Sequence, residues 1–320
     1  MPDPVPDGTT VEDATEALLA DGIGDGLPVV PPTAARLDRM LAGVAAPDGV
    51  LGPVPPLFGE LTPAAAAYYA VLAGCRRAEL PVVLAALCAA LEPEFNLLGV
   101  QTTTGTAAVA VVVHGPVVRA LGLQPGPNAL GPGNRANAAV GRAVALALAG
   151  IGGARPGVTD MATTGWPGRY TCCLPEHSDG PLPGLAARRG IDGSAVTVLA
   201  AAGTAEVLPA GGGGTVADVL GPPAEMLAAA VLAAGDPERF GAFEQFLVLP
   251  PEVAGRLAAL GADHDAVRRH LTERADLLLE RRAPGARIGA VELVVAGGAG
   301  VKMLHVPCWI GGSRSVTRAI

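Results

Sequence analysis

Three runs of the chain, TAAVAVVVHG (106–115), SAVTVLAAAG (194–203) and GAVELVVAGGAG (289–300), are apolar almost from end to end. None shows the polar alternation of a strand with one wet face, so each reads as a strand covered on both sides. Helical patterns fall between them. Thr10 caps a helix that closes at Gly22, a short helix lies around 34–42, and Thr62-Pro63 opens another with Pro in the first turn. Further helices are expected near 80–92, 134–149, 224–234 and 251–260, and a charged amphipathic one over 263–279. Strands of this kind alternating with helices predict an α/β fold: layered, with a largely parallel sheet and helices on its faces. The likeness of 194–203 to 290–300 suggests an internal pseudo-repeat.

This pattern divides the chain into four parts. Residues 1–61 hold the first helix and a Pro/Gly-rich arm. Residues 62–160 form a first α/β half, 161–193 a long cysteine-containing loop, and 194–320 a second α/β half. A loop of that length inside a compact body is usually functional.

Composition limits the function. Half of the residues are apolar and only 3% are aromatic, so the core is built of Ala, Val and Leu and must pack closely. A net charge of −8 and the lack of aromatic platforms argue against a nucleic-acid partner. The opening MPDPVPDGTT is acidic and proline-rich, unlike a signal peptide, and the longest apolar stretches are short or broken by Arg135, Asn137 and Arg142. A cytoplasmic protein without a membrane partner is expected, with its five cysteines reduced. The low charge points to a homo-oligomer.

Open parallel sheets place ligands beyond the carboxyl ends of their strands. His114 ends the first strand and is a candidate acid or base. GPGNRANAAVGRA (131–143) follows, in which Asn134 caps a helix whose first turn carries Arg135 and Asn137, a natural site for a small carboxylate. Lys302 is the only lysine of the chain and sits behind the glycine turn of AGGAGVK, placed to bind an anion or, if desolvated, to act as a base. Arg314 can close over the same pocket. In TCCLPEHSD, Cys173 can act as a thiolate with Glu176 or His177 as acid or base. Alternatively Cys172, Cys173, His177, His305 and Cys308 assemble a zinc site, although their spacing matches no standard motif. Otherwise no cofactor is expected.

The segments DGLPVVPPT (25–33), AGCRRAELPVVLAA (73–86), GPGNRANAAVGRA (131–143), GGARPG (152–157) and Cys173–Glu176 together resemble a bacterial family whose members accompany small thiol or selenol proteins with a UGSC-type motif. The resemblance spans most of the chain. It implies redox or carbon–heteroatom chemistry involving thiols, with such a redox protein as partner, and it supplies no catalytic residues. In that family Asn follows the position of Glu176, whereas this chain has His177, which weakens the case for His177 as an essential base. The leading expectation is an enzyme, a lyase or an oxidoreductase, that acts on a small anionic metabolite. Asn134, Arg135 and Lys302 would hold the anion, Cys173 would supply the thiolate, and Glu176 or His114 would move the proton. The alternatives are a zinc-dependent lyase or hydrolase, and a noncatalytic partner subunit of a thiol or selenol protein.

Overall fold

A computed structural model describes residues 2–320. Helix α1 (Val11–Ala20) is capped by Thr10, whose hydroxyl accepts the Asp13 N–H, and α2 (Ala34–Leu41) follows in the arm. A small hairpin of β1 (Gly52–Val54) and β2 (Gly59–Leu61) leads to α3 (Pro63–Leu72), all ten residues of which are buried. Next come α4 (Leu80–Ala90), α5 (Leu97–Thr102), β3 (Ala108–His114), α6 (Pro116–Ala120) and the long α7 (Arg135–Gly152). Then β4 (Cys173–Pro175), α8 (Leu185–Arg188), β5 (Ala195–Ala201) and β6 (Ala205–Val207) complete the first two-thirds. The remainder comprises α9 (Val216–Leu232), α10 (Pro237–Phe240), β7 (Gln245–Leu249), α11 (Pro251–Ala259), α12 (His264–Glu280), β8 (Val291–Val295), β9 (Met303–Pro307) and β10 (Val316–Ala319).

Helix α9 starts eight residues before the expected 224 and runs through the Pro222-Pro223 pair. Thr215 and Asp218 form a reciprocal cap at its start. Pro222 cannot donate to the Asp218 carbonyl one turn back, and that carbonyl instead accepts the Ala210 N–H at 2.8 Å. A loop amide thus replaces the missing helical donor.

The fold is α/β, but the sheets are not largely parallel. One has the order β10-β5-β3-β4, the other β6-β9-β7-β8. In each, only one pair is parallel, β3 with β4 and β7 with β8, while β5–β3, β10–β5, β9–β7 and β6–β9 are antiparallel. The strands are uniformly apolar for a reason other than direction. Val111 and Val113 of β3 share a core with α3, α4 and α7, while Ala110 and Val112, on its other face, share one with Phe246, Val248, Val294 and Val306 of the second sheet. The second sheet's other face, with Leu247, Leu249 and Leu293, is covered by α9, α11 and α12. Burial on both faces removes the polar alternation whichever way neighbouring strands run.

The two sheets have matching connectivity. Val111 pairs with Val198 and Cys173 just as Leu247 pairs with His305 and Leu293, so β5 corresponds to β9 and β4 to β8. The similar sequences 194–203 and 290–300 therefore do not mark the correspondence, because they liken β5 to β8. The edge strands are exchanged: β6 follows β5 in the chain but pairs with β9, and β10 follows β9 but pairs with β5. Helix α7 lies tightly on β4 through Gly141, where a Cβ would come within 2.8 Å of the Cys172 nitrogen. Among the described residues, no single helix is long and apolar enough to cross a membrane.

Candidate functional site

The three groups expected to share one pocket do not meet. Lys302 lies on an exposed rim, with its Nζ 2.9 Å from Glu206 Oε1, which is exposed as well. Arg135 turns away from any free anion: its guanidinium pairs with the buried Glu79 and donates to the Gly74 carbonyl at 3.2 Å. Glu79 also accepts the Arg76 N–H at 2.8 Å. Asn134 makes no side-chain cap and donates instead to the Asn128 carbonyl. Asn137 is buried and clamps the preceding loop, accepting the Gln124 N–H at 3.0 Å and donating to the Gln124 and Ala129 carbonyls. Arg314 is exposed, and its backbone N–H donates to the Glu94 carbonyl.

Cys173 is buried in the helix-facing core. Burial, and then the neighbouring Cys172, Cys75 and Glu79, push its thiol up. Cys75 at the end of α3 is pushed up by burial and by Glu79, with Arg135 opposing. Both are held as thiols, so the thiolate expected at Cys173 has no support from its surroundings. The residues around Cys75 instead form a structural ion pair. Arg135→Met would leave the Glu79 carboxylate buried with one backbone donor. A loss of about 2–3 kcal/mol in denaturant unfolding is expected, below the ~3–5 kcal/mol of a fully buried pair because water reaches the guanidinium.

His114 and Glu176 do come together. Glu176 Oε2 lies 2.7 Å from His114 Nδ1 and accepts the Leu185 N–H at 3.0 Å. On the far side of the ring, Nε2 lies 2.7 Å from the Thr197 hydroxyl, which is 2.8 Å from the Thr317 hydroxyl. Arg189 donates to Thr317 at 2.9 Å and pairs with Glu292, and its Ser315 partner also bonds Glu244. Arg189 donates to Thr317, and the two hydroxyls, the ring and the carboxylate continue from it as one chain of short polar contacts. The arrangement has the outline of a hydroxyl–imidazole–carboxylate triad, but Thr197 is 0% exposed and His114 and Glu176 are each 3% exposed. Shut off from solvent, it fastens β3, β4, β5, α8 and β10 together. Thr197 is the one polar side chain in AVTVLAA, and that interruption was its only sequence signal.

The five zinc-ligand candidates are scattered. Cys172 and Cys173 are consecutive in extended chain and join different cores. The His177 ring donates to the Gly297 carbonyl at 3.1 Å, and His305 Nε2 is bonded to Gln245 Oε1 at 2.8 Å. Cys308 is buried between the sheets. Among the described residues, no three His, Cys, Asp or Glu side chains are grouped to hold a metal ion.

A cleft of about 640 Å³ opens elsewhere, at the amino end of β3 rather than beyond its carboxyl end. One wall is α7 with Ala145 and Ala149, the floor includes Gln101 of α5 and Ala107–Val109, and the other wall is the segment 154–170. That segment is ordered by its own bonds. The Arg155 carbonyl accepts three amide protons, Thr159 Oγ1 donates to the Gly153 carbonyl at 2.6 Å, and the Thr163 N–H donates to the Thr104 carbonyl. Arg169 ion-pairs with Asp160 and donates to the Ala107 carbonyl at 2.9 Å, tying the loop to the start of β3. At the rim, Arg142 of α7 holds Asp25 through two 2.8 Å bonds and also donates to the Pro28 and Leu27 carbonyls. The Trp166 indole N–H is buried without a partner. Three of the segments behind the family resemblance border this cleft, through Asp25, Arg142 and Pro156. Sequence reasoning flagged the long loop but none of Asp25, Arg142, Asp160, Trp166 or Arg169 as site residues.

No family model matches the chain, and no curated protein matches it.

Proposed function

We propose that the protein binds and acts on a small metabolite held in the cleft between α7 and the segment 154–170. The cleft itself carries this reading. Its volume falls within the ~300–1,000 Å³ of small-molecule sites, its walls are mostly apolar, and a few polar groups converge on it. The thiolate chemistry expected from Cys173 is not part of the proposal, since that thiol lies in the core away from the cleft.

A screen of small metabolites by thermal shift tests it. A ligand at ~100 times its Kd adds about 2.7 kcal/mol to the folded state, enough to raise the Tm by several degrees. Ala149→Phe fills the cleft from the α7 side, and stabilisation by any hit is expected to vanish in that variant. Hits that stabilise Ala149→Phe as strongly as the wild type would move the site elsewhere.

A further inference from the structure

We infer that the occupant of the cleft is an uncharged molecule with an apolar ring body and a carbonyl-type acceptor, not the anion that Lys302 and Arg135 had suggested. The inference rests on the cleft being the ligand site.

Charge balance carries it. The charged side chains on the wall are Asp25, Asp160 and Arg169. Each is already paired, Asp25 with Arg142 and Asp160 with Arg169. Among the residues that line the cleft a carboxylate or phosphate meets no unpaired cation, and to reach Arg169 it must compete with Asp160 against the repulsion of both aspartates. An ammonium finds no unpaired carboxylate. Desolvating either ion is therefore uncompensated, whereas a neutral molecule carries no such cost.

Hydrogen bonding points the same way. The Trp166 N–H is a buried donor with nothing to bond, and Trp166 lines the cleft, so an acceptor on the ligand seated against it relieves a costly state. The ring lies against Gly168, where a Cβ would come within 2.4 Å of it, and Tyr170 adds a second aromatic face. With Ala145, Ala149 and Val109 opposite, these surfaces suit a flat apolar body.

Calorimetry with three probes of one skeleton tests the class: 1-naphthaleneacetamide, 1-naphthaleneacetate and 1-naphthylmethylammonium. The amide is expected to bind at least tenfold more tightly than either ion. Its binding should be lost in Ala149→Phe and weakened about tenfold in Trp166→Phe, the size of one net hydrogen bond. Thr164→Trp blocks the cleft from the loop side without touching α7 and serves if Ala149→Phe does not fold. If the acetate binds as tightly as the amide and both blocked variants abolish it, the neutral class is overturned while the cleft stands. Binding of any probe that survives both blocks overturns the cleft reading itself. Absence of binding by all three at millimolar concentration also overturns the ligand class.

Discussion

His114→Ala is expected to lower stability by about 3–5 kcal/mol, among the largest losses any single substitution in this chain should produce. Two costs combine. Deleting the ring opens a hole in a close-packed layer, and it strands two buried groups. Glu176 keeps only the Leu185 N–H, and the Thr197 hydroxyl loses its ring partner. Because Thr197 is also bonded to Thr317, the break reaches the β10 edge. Thr197→Val keeps the volume and removes a single hydroxyl, so a smaller loss of about 1–2 kcal/mol is expected. Urea unfolding read by circular dichroism measures both. A loss under ~1 kcal/mol for His114→Ala would mean that the buried chain does not hold the sheet together.

Acid should destabilise the protein through His305. Burial lowers its pKa from 6.5 to about 4, and the neutral ring is bonded to Gln245. In the unfolded chain the imidazole takes up a proton near pH 6.5, while the folded chain resists until about pH 4. The unfolded state therefore binds more protons across that window. The stability is fully present above pH 6.5 and falls as pH drops toward 4, by about 3 kcal/mol in all. His264, lowered mainly by burial, contributes with the same sign. Glu244 is raised, chiefly by burial, and works in the opposite direction: its contribution is present at low pH and lost as pH rises through its folded value. Comparison with His305→Gln isolates the effect, since Gln can still donate to Gln245 but does not titrate. The difference in unfolding free energy between the two proteins should shrink by about 3 kcal/mol from pH 7 to pH 4 in the variant's favour. Parallel pH profiles would show that His305 is not held neutral.

What could be read from the residues alone was local. Thr10 announced α1, and Thr62-Pro63 announced α3, because caps are written within four residues of the helix they start. The runs at 106–115 and 194–203 located β3 and β5. Their direction was hidden, since burial against a second sheet gives the same apolar run as burial beneath a parallel sheet's crossover helices. His114 could be named because it ends an apolar run, and Glu176 because it lies three residues after Cys173. Their pairing, with Thr197, depends on which strands become neighbours, and that is settled by tertiary contacts. The cleft was illegible for the same reason: Arg142 meets Asp25 across 117 positions of chain. Lys302 drew attention by its rarity, but rarity is no measure of position. Its partner, Glu206, came from β6, an edge strand that sequence alone did not foresee on that sheet.

The exchanged edges of the two sheets have a mechanical consequence. Peeling β10 from β5 exposes the first sheet while pulling on the segment that continues from β9, and freeing β6 from β9 does the same in reverse. Neither half can come apart at little cost while the other stays whole. The halves are latched to each other, and heating should melt the molecule in one cooperative step instead of two.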